Sequence, residues 1–346
     1  MTPGPNSAAP IAIVVLNWNG AADTLACLDS LAAADLGGAS VLVADNGSRD
    51  DSVAQVRQRF PQHEVLALPE NLGFAGGNNA AIRQVLGRGV EGVLLLNNDT
   101  RVAPDFLRPL LDAVAAHPRC AAVSSAIRRL DRPEMLDVAY IEWHLDRRAV
   151  VQIVGVNALP EHGFDSFREV QVAVGCSVLL TATALRDIGL FDEDYFAYHE
   201  DVDWCLRARR AGYHVFWEPR SVVFHRGSSS TGALRRRPRR DYPAPWEPQL
   251  PNAEPLPWNP VRAYLGARNL VRILRTHATA ADRRAFWRRC ASELPLEFFA
   301  VVLGRLGWMR LGRWNYAQLC RFYLIERHRW LREAPAGWRG RLRRAV

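Results

Sequence analysis

The first hundred residues alternate between continuous apolar runs and segments with a single apolar stripe. Residues 11–16, Ile-Ala-Ile-Val-Val-Leu, are apolar throughout and give way to Asn17-Trp18-Asn19-Gly20. Such a run predicts a strand covered on both faces, as in a parallel sheet. Further strands are predicted over 40–44, 65–68 and 92–96. Between them, 23–34 (with Leu25, Leu28 and Leu31 on one stripe), 51–59 and 78–86 have helical spacing. Strands alternating with helices predict an α/β sheet with parallel strands. A polar cluster follows each strand: Asn17-Trp18-Asn19-Gly20, Asp45-Asn46-Gly47-Ser48, the Gly/Asn-rich loop 71–79, and Asn97-Asn98-Asp99. Open α/β sheets bind ligands at that edge.

From about 121 to 174 the pattern loosens. Residues 150–156 and 170–174 read as strands, possible antiparallel partners, and 180–188 and 202–211 as helices. Short strands over 215–218 and 221–224 are closed by His225. Then Gly, Ser, Pro and Arg replace the periodicity, and 231–260 reads as a loop or linker. Residues 261–346 read as helical, basic and Trp-rich.

Composition narrows the picture. At 346 residues and 49% apolar, the chain can bury a sizeable core. All 44 basic residues are Arg, the net charge is +8, and the excess gathers after 235. That asymmetry points to an anionic partner: nucleic acid, phospholipid or a phosphorylated substrate. The six cysteines show no CxxC spacing, which excludes a zinc or redox motif and points to a reducing compartment. Residues 1–10 lack a basic region before the apolar run, so the run reads as a strand and not a signal peptide. No stretch is apolar enough to span a bilayer.

Several residues have chemical possibilities. The stretch 191–207 sets carboxylates, Glu200, Asp201 and Asp203 among them, beside aromatic residues. Burial against apolar walls raises a carboxyl toward the range of a working base. Asp45, read alone, is better explained as an Asx-turn or helix cap than as a ligand contact. The 71–79 loop has the glycine content of a phosphate cradle, though not a P-loop sequence. Asn97-Asn98-Asp99 suits a hard cation that shares phosphate oxygens and water, or a simple turn. His225 could complete such a site or be structural.

Taken together and in order, these segments resemble the family 2 glycosyltransferases of GT-A fold. The matching residues are Val14 to Asn19, Val43 to Ser48, Asn71 to Asn79, Leu95 to Thr100, Gly175-Cys176-Ser177, Gly189 to Glu193, and Glu200-Asp201-Val202-Asp203. The resemblance covers roughly 9–230 and is closest to the rhamnosyltransferase-like branch that builds bacterial polysaccharides. Tyr264 to Asn269 is similar to that branch's Tyr-x-x-x-Arg-Asn segment. The implied fold is a Rossmann-like mixed α/β sheet flanked by helices, with a C-terminal helical extension. Its nucleotide-binding half would be 9–115 and its acceptor half 116–230.

The resemblance implies an inverting transfer from a nucleoside-diphosphate sugar, dTDP-rhamnose or a UDP-sugar, to a hydroxyl of a glycan or polyprenyl-linked glycan. It makes Asp201 the catalytic base, with Glu200 and Asp203 supporting. It puts Asp45 on the nucleotide, together with Asn17, Asn71, Gly73, Asn78 and Gly175 of the matched motifs. The DXD-type motif departs here: Asn97 replaces the first Asp, facing ribose, and Asp99 is left as ligand to Mg²⁺ or Mn²⁺, with His225. No spans accompany it, so a non-processive enzyme adding one or a few sugars is expected. Trp and Arg beyond 283, around the broken apolar stretch 294–311, suit an anionic membrane surface at the inner face of the plasma membrane, or a homodimer interface. A nucleotidyltransferase would need a basic Gly-rich loop after the first strand, which Asn17 to Gly20 is not. A basic membrane or nucleic-acid adaptor would not need the ordered Asp45, Asp99 and Asp201; nucleic acid is not the expected partner.

Overall fold

Enclosure explains the first apolar run: in β1 (Ile11–Asn17), Ala12 to Val15 are wholly buried. The structure is a computed structural model and describes residues 11–145, 150–227 and 260–288. Nearly all of the linker expected over 231–260, and everything past 288, including 294–311, lie outside the described residues.

β1, β2 (Ser40–Asp45), β3 (Glu64–Ala67) and β4 (Gly92–Asn97) are parallel, in the order β4-β1-β2-β3. Helices α1 (Ala21–Ala32), α2 (Ser52–Arg59) and α3 (Gly73–Leu86) connect them. α1 forms because Cys27, Leu28 and Leu31 share a stripe that packs on β1 and β2 residues, with α2's Val56 in the same core. After β4 come β5 (Thr100–Val102), α4 (Leu107–Ala116), β6 (Cys120–Arg129), β7 (Leu136–Val138), β8 (Tyr140–Trp143), β9 (Val151–Val154) and β10 (Arg168–Glu169). They are followed by β11 (Ser177–Thr181), α5 (Ala182–Ile188), α6 (Glu200–Arg210), β12 (His214–His225) and α7 (Pro260–His277).

The sheet runs β10-β12-β6-β11-β4-β1-β2-β3, with β5 on β12 and β7 on β6. β11 is antiparallel to both β4 and β6, whereas β6 and β12 are parallel. β4, β6 and β12 therefore point the same way as β1 and β2. One edge of the sheet collects the C-terminal ends of six strands, β3 included, and the start of β11.

Several expectations need correction. β6 was not predicted: Cys-Ala-Ala-Val-Ser-Ser-Ala is weakly β-forming, and pairing with β11 and β12 on either side supplies what propensity lacks. The two strands expected over 215–224 are one strand with an irregularity between Glu218 and Val222, which absorbs Pro219. Of 170–174 only Val172 pairs, through a single bridge to Ile141. The helix expected from 180 begins at Ala182, after the Thr181 hydroxyl caps Ala184 N–H.

Contacts divide the chain into two compact units, residues 1–142 with 153–230, and residues 143–152 with 231–346. In the second, α7 places Leu270 and Leu274 one turn apart, packed with Val150, Ala278 and Phe286. Arg268 and Asn269 of the Tyr-x-x-x-Arg-Asn segment are buried, with Arg268 Nε donating to Asn269 Oδ1 at 2.9 Å.

Candidate active site

The strand-end edge is built first by buried amides. Asn17, at the end of β1, donates from Nδ2 to Asp45 Oδ1 at 2.7 Å, across one ladder step to the end of β2. Asn17 Oδ1 accepts from Thr24 Oγ1 and from Asn98 Nδ2. Asp45 Oδ2 accepts Ser48 N–H at 3.0 Å, so the turn that sequence alone suggested for Asp45 is present. Its burial leaves a carboxylate held by two donors at the mouth of β2.

The stretch 71–79 is not an open loop: α3 starts at Gly73 and buries Gly76, Gly77, Asn78 and Asn79. Small residues are needed there for close packing. A Cβ on Gly77 would sit 2.7 Å from Leu16 Cδ1 and 2.9 Å from Asn46 Nδ2. Asn78 donates to Phe74 O within its own helix. Asn71 Oδ1 accepts Gly73 N–H at 2.7 Å and starts the helix. Asn46 fastens the same point, giving Nδ2 to Gly73 O and accepting Leu72 N–H. Asn46 was not singled out from the sequence, although it lies inside the matched Asp45 segment.

Gly73 has φ +78°, and a Cβ on it would lie 2.3 Å from Phe196 O. Ala75 N–H donates to that same carbonyl at 3.1 Å. The start of α3 is thus pressed against the turn that leads to α6. Asn79 adds to the joint, accepting Phe191 N–H and donating to Phe191 O and Glu193 Oε1. Its role too was not singled out from the sequence, where it lies at the overlap of the 71–79 loop and the helix expected over 78–86.

That turn is strained. Phe196 (φ 63°, ψ −63°), Tyr198 and His199 all have positive φ, although none is Gly. Ala197 N–H bonds Tyr195 O two residues back, a γ-turn. Such conformations cost of order 1–3 kcal/mol each and persist where the surroundings impose them. The turn delivers Glu200 and Asp201 to the first turn of α6, where the helix dipole favours carboxylates. Asp201 Oδ2 accepts Gly175 N–H at 3.1 Å, and Oδ1 accepts Val202 N–H. Burial pushes the Asp201 carboxyl above the usual range, while these two N–H groups oppose the rise. Glu200 is 5% exposed, and its Oε2 has no hydrogen-bond partner among the described residues. Burial and the Asp201 charge push its carboxyl well above the usual range. Asp203 differs: it is buried against Arg207 Nε at 2.8 Å, and Arg207 also holds the Ile188 and Leu190 carbonyls. Its bonds are structural.

Gly175 links the two sides. Next to it, Cys176 O accepts Asn97 N–H at 2.9 Å. Asp201 is therefore two hydrogen bonds away from the end of β4. The half-buried Asn97 amide makes no side-chain hydrogen bond among the described residues. Beyond it, Asp99 Oδ1 lies 3.3 Å from His225 Nε2, because β12 pairs with β5 in a register that sets His225 opposite Thr100. His225 Nδ1 lies 2.7 Å from Asp137 Oδ2. Burial lowers the imidazole pKa, but the bonds and charges of Asp137 and Asp99 outweigh it and raise it to about 10.

The pair Asp99–His225 suits a small divalent cation as a donor set. Two donors at right angles on a cation with bonds of about 2.1 Å lie about 3 Å apart, close to the observed 3.3 Å. Among the described residues no group of three or more His, Cys, Asp or Glu is arranged for a metal. Phosphate and water would supply the remaining ligands, as is usual for Mg²⁺. A separate open cleft of about 610 Å³, lined by Tyr140, Glu142, Arg168, Gln171 and Arg209 among others, shares no residue with this edge.

Known proteins share the fold. A mannosyltransferase from Pyrobaculum calidifontis, solved with GDP-mannose and Mn²⁺, superposes with a TM-score of 0.53 over 94% of this chain and 90% of that one, at 16% identity. The fold is that of the GT-A nucleotide-sugar transferases. Residues 12–149 match the model for glycosyl transferase family 2, and 92–325 that for glycosyl transferase family group 2. An N-acetylglucosaminyl-diphospho-decaprenol L-rhamnosyltransferase of Mycobacterium tuberculosis is 32% identical over 211 residues, 56% of this chain and 68% of that protein. A dTDP-rhamnosyl transferase of Shigella flexneri is 21% identical over 193 residues, 54% of this chain and 59% of that protein. The chain belongs to glycosyltransferase family 2 and is a glycosyltransferase.

Proposed function

We propose that this enzyme transfers L-rhamnose, with inversion, from dTDP-rhamnose to a hydroxyl of a lipid-linked glycan. The observation that carries the reading is the half-buried carboxylate of Asp201, held by Gly175 N–H, two hydrogen bonds from the end of β4 that leads to Asp99. In this reading Asp201 accepts the acceptor hydroxyl's proton as that oxygen bonds to the anomeric carbon and the nucleoside diphosphate leaves. Asp45 and the strand-end amide network bind the nucleoside, with Asn17 and Asn71 holding its walls, and Asn97 meets the ribose. Gly73 and Asn78 shape the start of α3 beside them. Asp99 and His225 would hold Mg²⁺ or Mn²⁺, whose chemistry there is neutralisation of charge on the departing diphosphate. The rhamnosyltransferase relatives support the sugar, and the decaprenol-linked substrate in one relative's name supports the acceptor class.

A donor screen tests it. Release of nucleoside diphosphate should be fastest with dTDP-rhamnose in the presence of a polyprenyl-diphosphate-linked acceptor. Faster turnover of a UDP-hexose on the same acceptor would move the assignment to that donor. Among the described residues no helix is long and apolar enough to cross a membrane. The Trp- and Arg-rich sequence beyond 288 supports docking on an anionic membrane surface. Salt-sensitive co-sedimentation with anionic vesicles is the corresponding measurement.

A further inference from the structure

The site contains one carboxylate that no sequence motif announces. Asp137 is the middle residue of β7, a three-residue strand on β6 whose pairing skips register between Ile127 and Arg128. That irregularity sets Asp137 beside His225, and its Oδ2 lies 2.7 Å from His225 Nδ1. A carboxylate only accepts, so Nδ1 carries the proton. In the neutral imidazole the lone pair is then on Nε2, the nitrogen that faces Asp99 Oδ1 at 3.3 Å. The His225 side chain is 16% exposed and that of Asp137 26%, so water competes little for this bond.

We infer that Asp137 is a positioning residue for the cation, fixing the His225 ring and presenting Nε2 beside Asp99. This rests on the reading of Asp99 and His225 as the cation's protein ligands. Outer-shell carboxylates on ligating histidines fix the tautomer, raise ligand basicity and typically change metal affinity by about 10–100-fold. Asp137 would act only through His225, and it contacts neither diphosphate nor sugar in this assignment. It turns a two-ligand site, which shares its cation with the substrate's phosphates, into one with a preset geometry.

The test is Mn²⁺ affinity in the presence of saturating UDP, read by the electron paramagnetic resonance signal of free Mn²⁺. The proteins compared are wild type, D137A, D137N and H225A, with thermal unfolding of each measured alongside. D137A should raise the Mn²⁺ dissociation constant about 10–100-fold. D137N, whose amide oxygen still accepts from Nδ1, should raise it less. Nucleotide binding without metal should stay at the wild-type level, and excess Mn²⁺ should restore turnover to D137A. Unchanged Mn²⁺ affinity in D137A, with H225A clearly weakened, overturns the inference and leaves the ligand assignment standing. Unchanged affinity in H225A overturns the ligand assignment, and the inference with it. If D137A does not fold, D137N decides: a changed histidine ¹⁵N spectrum at His225 with wild-type Mn²⁺ affinity overturns the role, whereas weakened affinity alongside that change supports it.

Discussion

Two parts of the same strand-end edge are built on opposite principles. Around Asn17, Asp45 and Asn98, neutral amides and hydroxyls satisfy one another and hold one carboxylate by two donors. Around Phe196 to Asp201, three non-Gly residues sit at positive φ, and the buried Glu200 beside the half-buried Asp201 has an oxygen without a hydrogen-bond partner among the described residues. The first arrangement is stable in itself and suits recognition of a ligand that leaves unchanged. The second is held in place by its surroundings and suits a group that gains and loses a proton. In the proposed function, strain and a buried acid thus fall where the chemistry is placed.

The sharpest way to break this comparison is Asp201→Asn. Turnover should fall about 100-fold or more with donor binding nearly intact, since the change removes a base while keeping the shape. Steady-state release of nucleoside diphosphate, with donor affinity by calorimetry, measures both. Near-normal turnover would put Glu200 in its place and collapse the distinction drawn here. Next comes Asp99→Ala, which should weaken Mn²⁺-dependent nucleoside-diphosphate binding by at least the roughly 10–100-fold typical of outer-shell losses. Full activity of the wild type in excess chelator would contradict the metal reading.

A smaller effect tests the joint between the two parts. Gly73→Ala should destabilise the fold by about 1–3 kcal/mol in denaturant melts, because Ala at φ +78° is strained and its Cβ meets Phe196 O. Turnover should fall more than donor affinity, since the displaced turn carries Asp201.

The smallest effect is on the pH dependence of stability. The Glu200 carboxyl is pushed well above the usual range in the folded protein. Above the ordinary carboxyl value the unfolded chain releases a proton that the folded chain keeps. Stability therefore falls as pH rises from that value toward the raised one. Glu200→Gln should flatten this part of the profile in urea melts run across pH. Turnover of the wild type should drop as pH falls through the raised Asp201 value. An unaltered stability slope in Glu200→Gln would show that Glu200 is charged and solvated.

How much of this was visible beforehand depends on locality. β1, β2, β4 and α1 were legible because each buries its own continuous run or stripe, and the motifs at their ends made Asn17, Asp45 and Asp99 candidates once their order matched the family. β6 was hidden because its Ala/Ser sequence becomes a strand only between two partners. The rest of α3 was read as a helix over 78–86, but its start was read as loop because glycines usually break helices, whereas here Gly76 and Gly77 allow backbone to approach Leu72 and Leu16. Asp137 had no signal at all, since its place depends on a register skip in a three-residue strand. Glu200 and Asp203 look alike in sequence, and only their neighbours separate a sealed acid from one locked to Arg207.

The pairing of β5 with β12 has a consequence for synthesis. Asp99 leaves the ribosome with β1 to β4 already made, but His225 follows roughly 125 residues later. At translation rates of about 5–20 residues per second, that gap lasts about 6–25 s. During it, on the proposed assignment, the growing chain has β1 to β4 and only one of the two cation ligands. A nascent chain stalled before residue 214 should therefore be unable to retain Mn²⁺ with a nucleotide, whatever its N-terminal sheet has already folded into. On that assignment, cation capture would report that translation has passed β12.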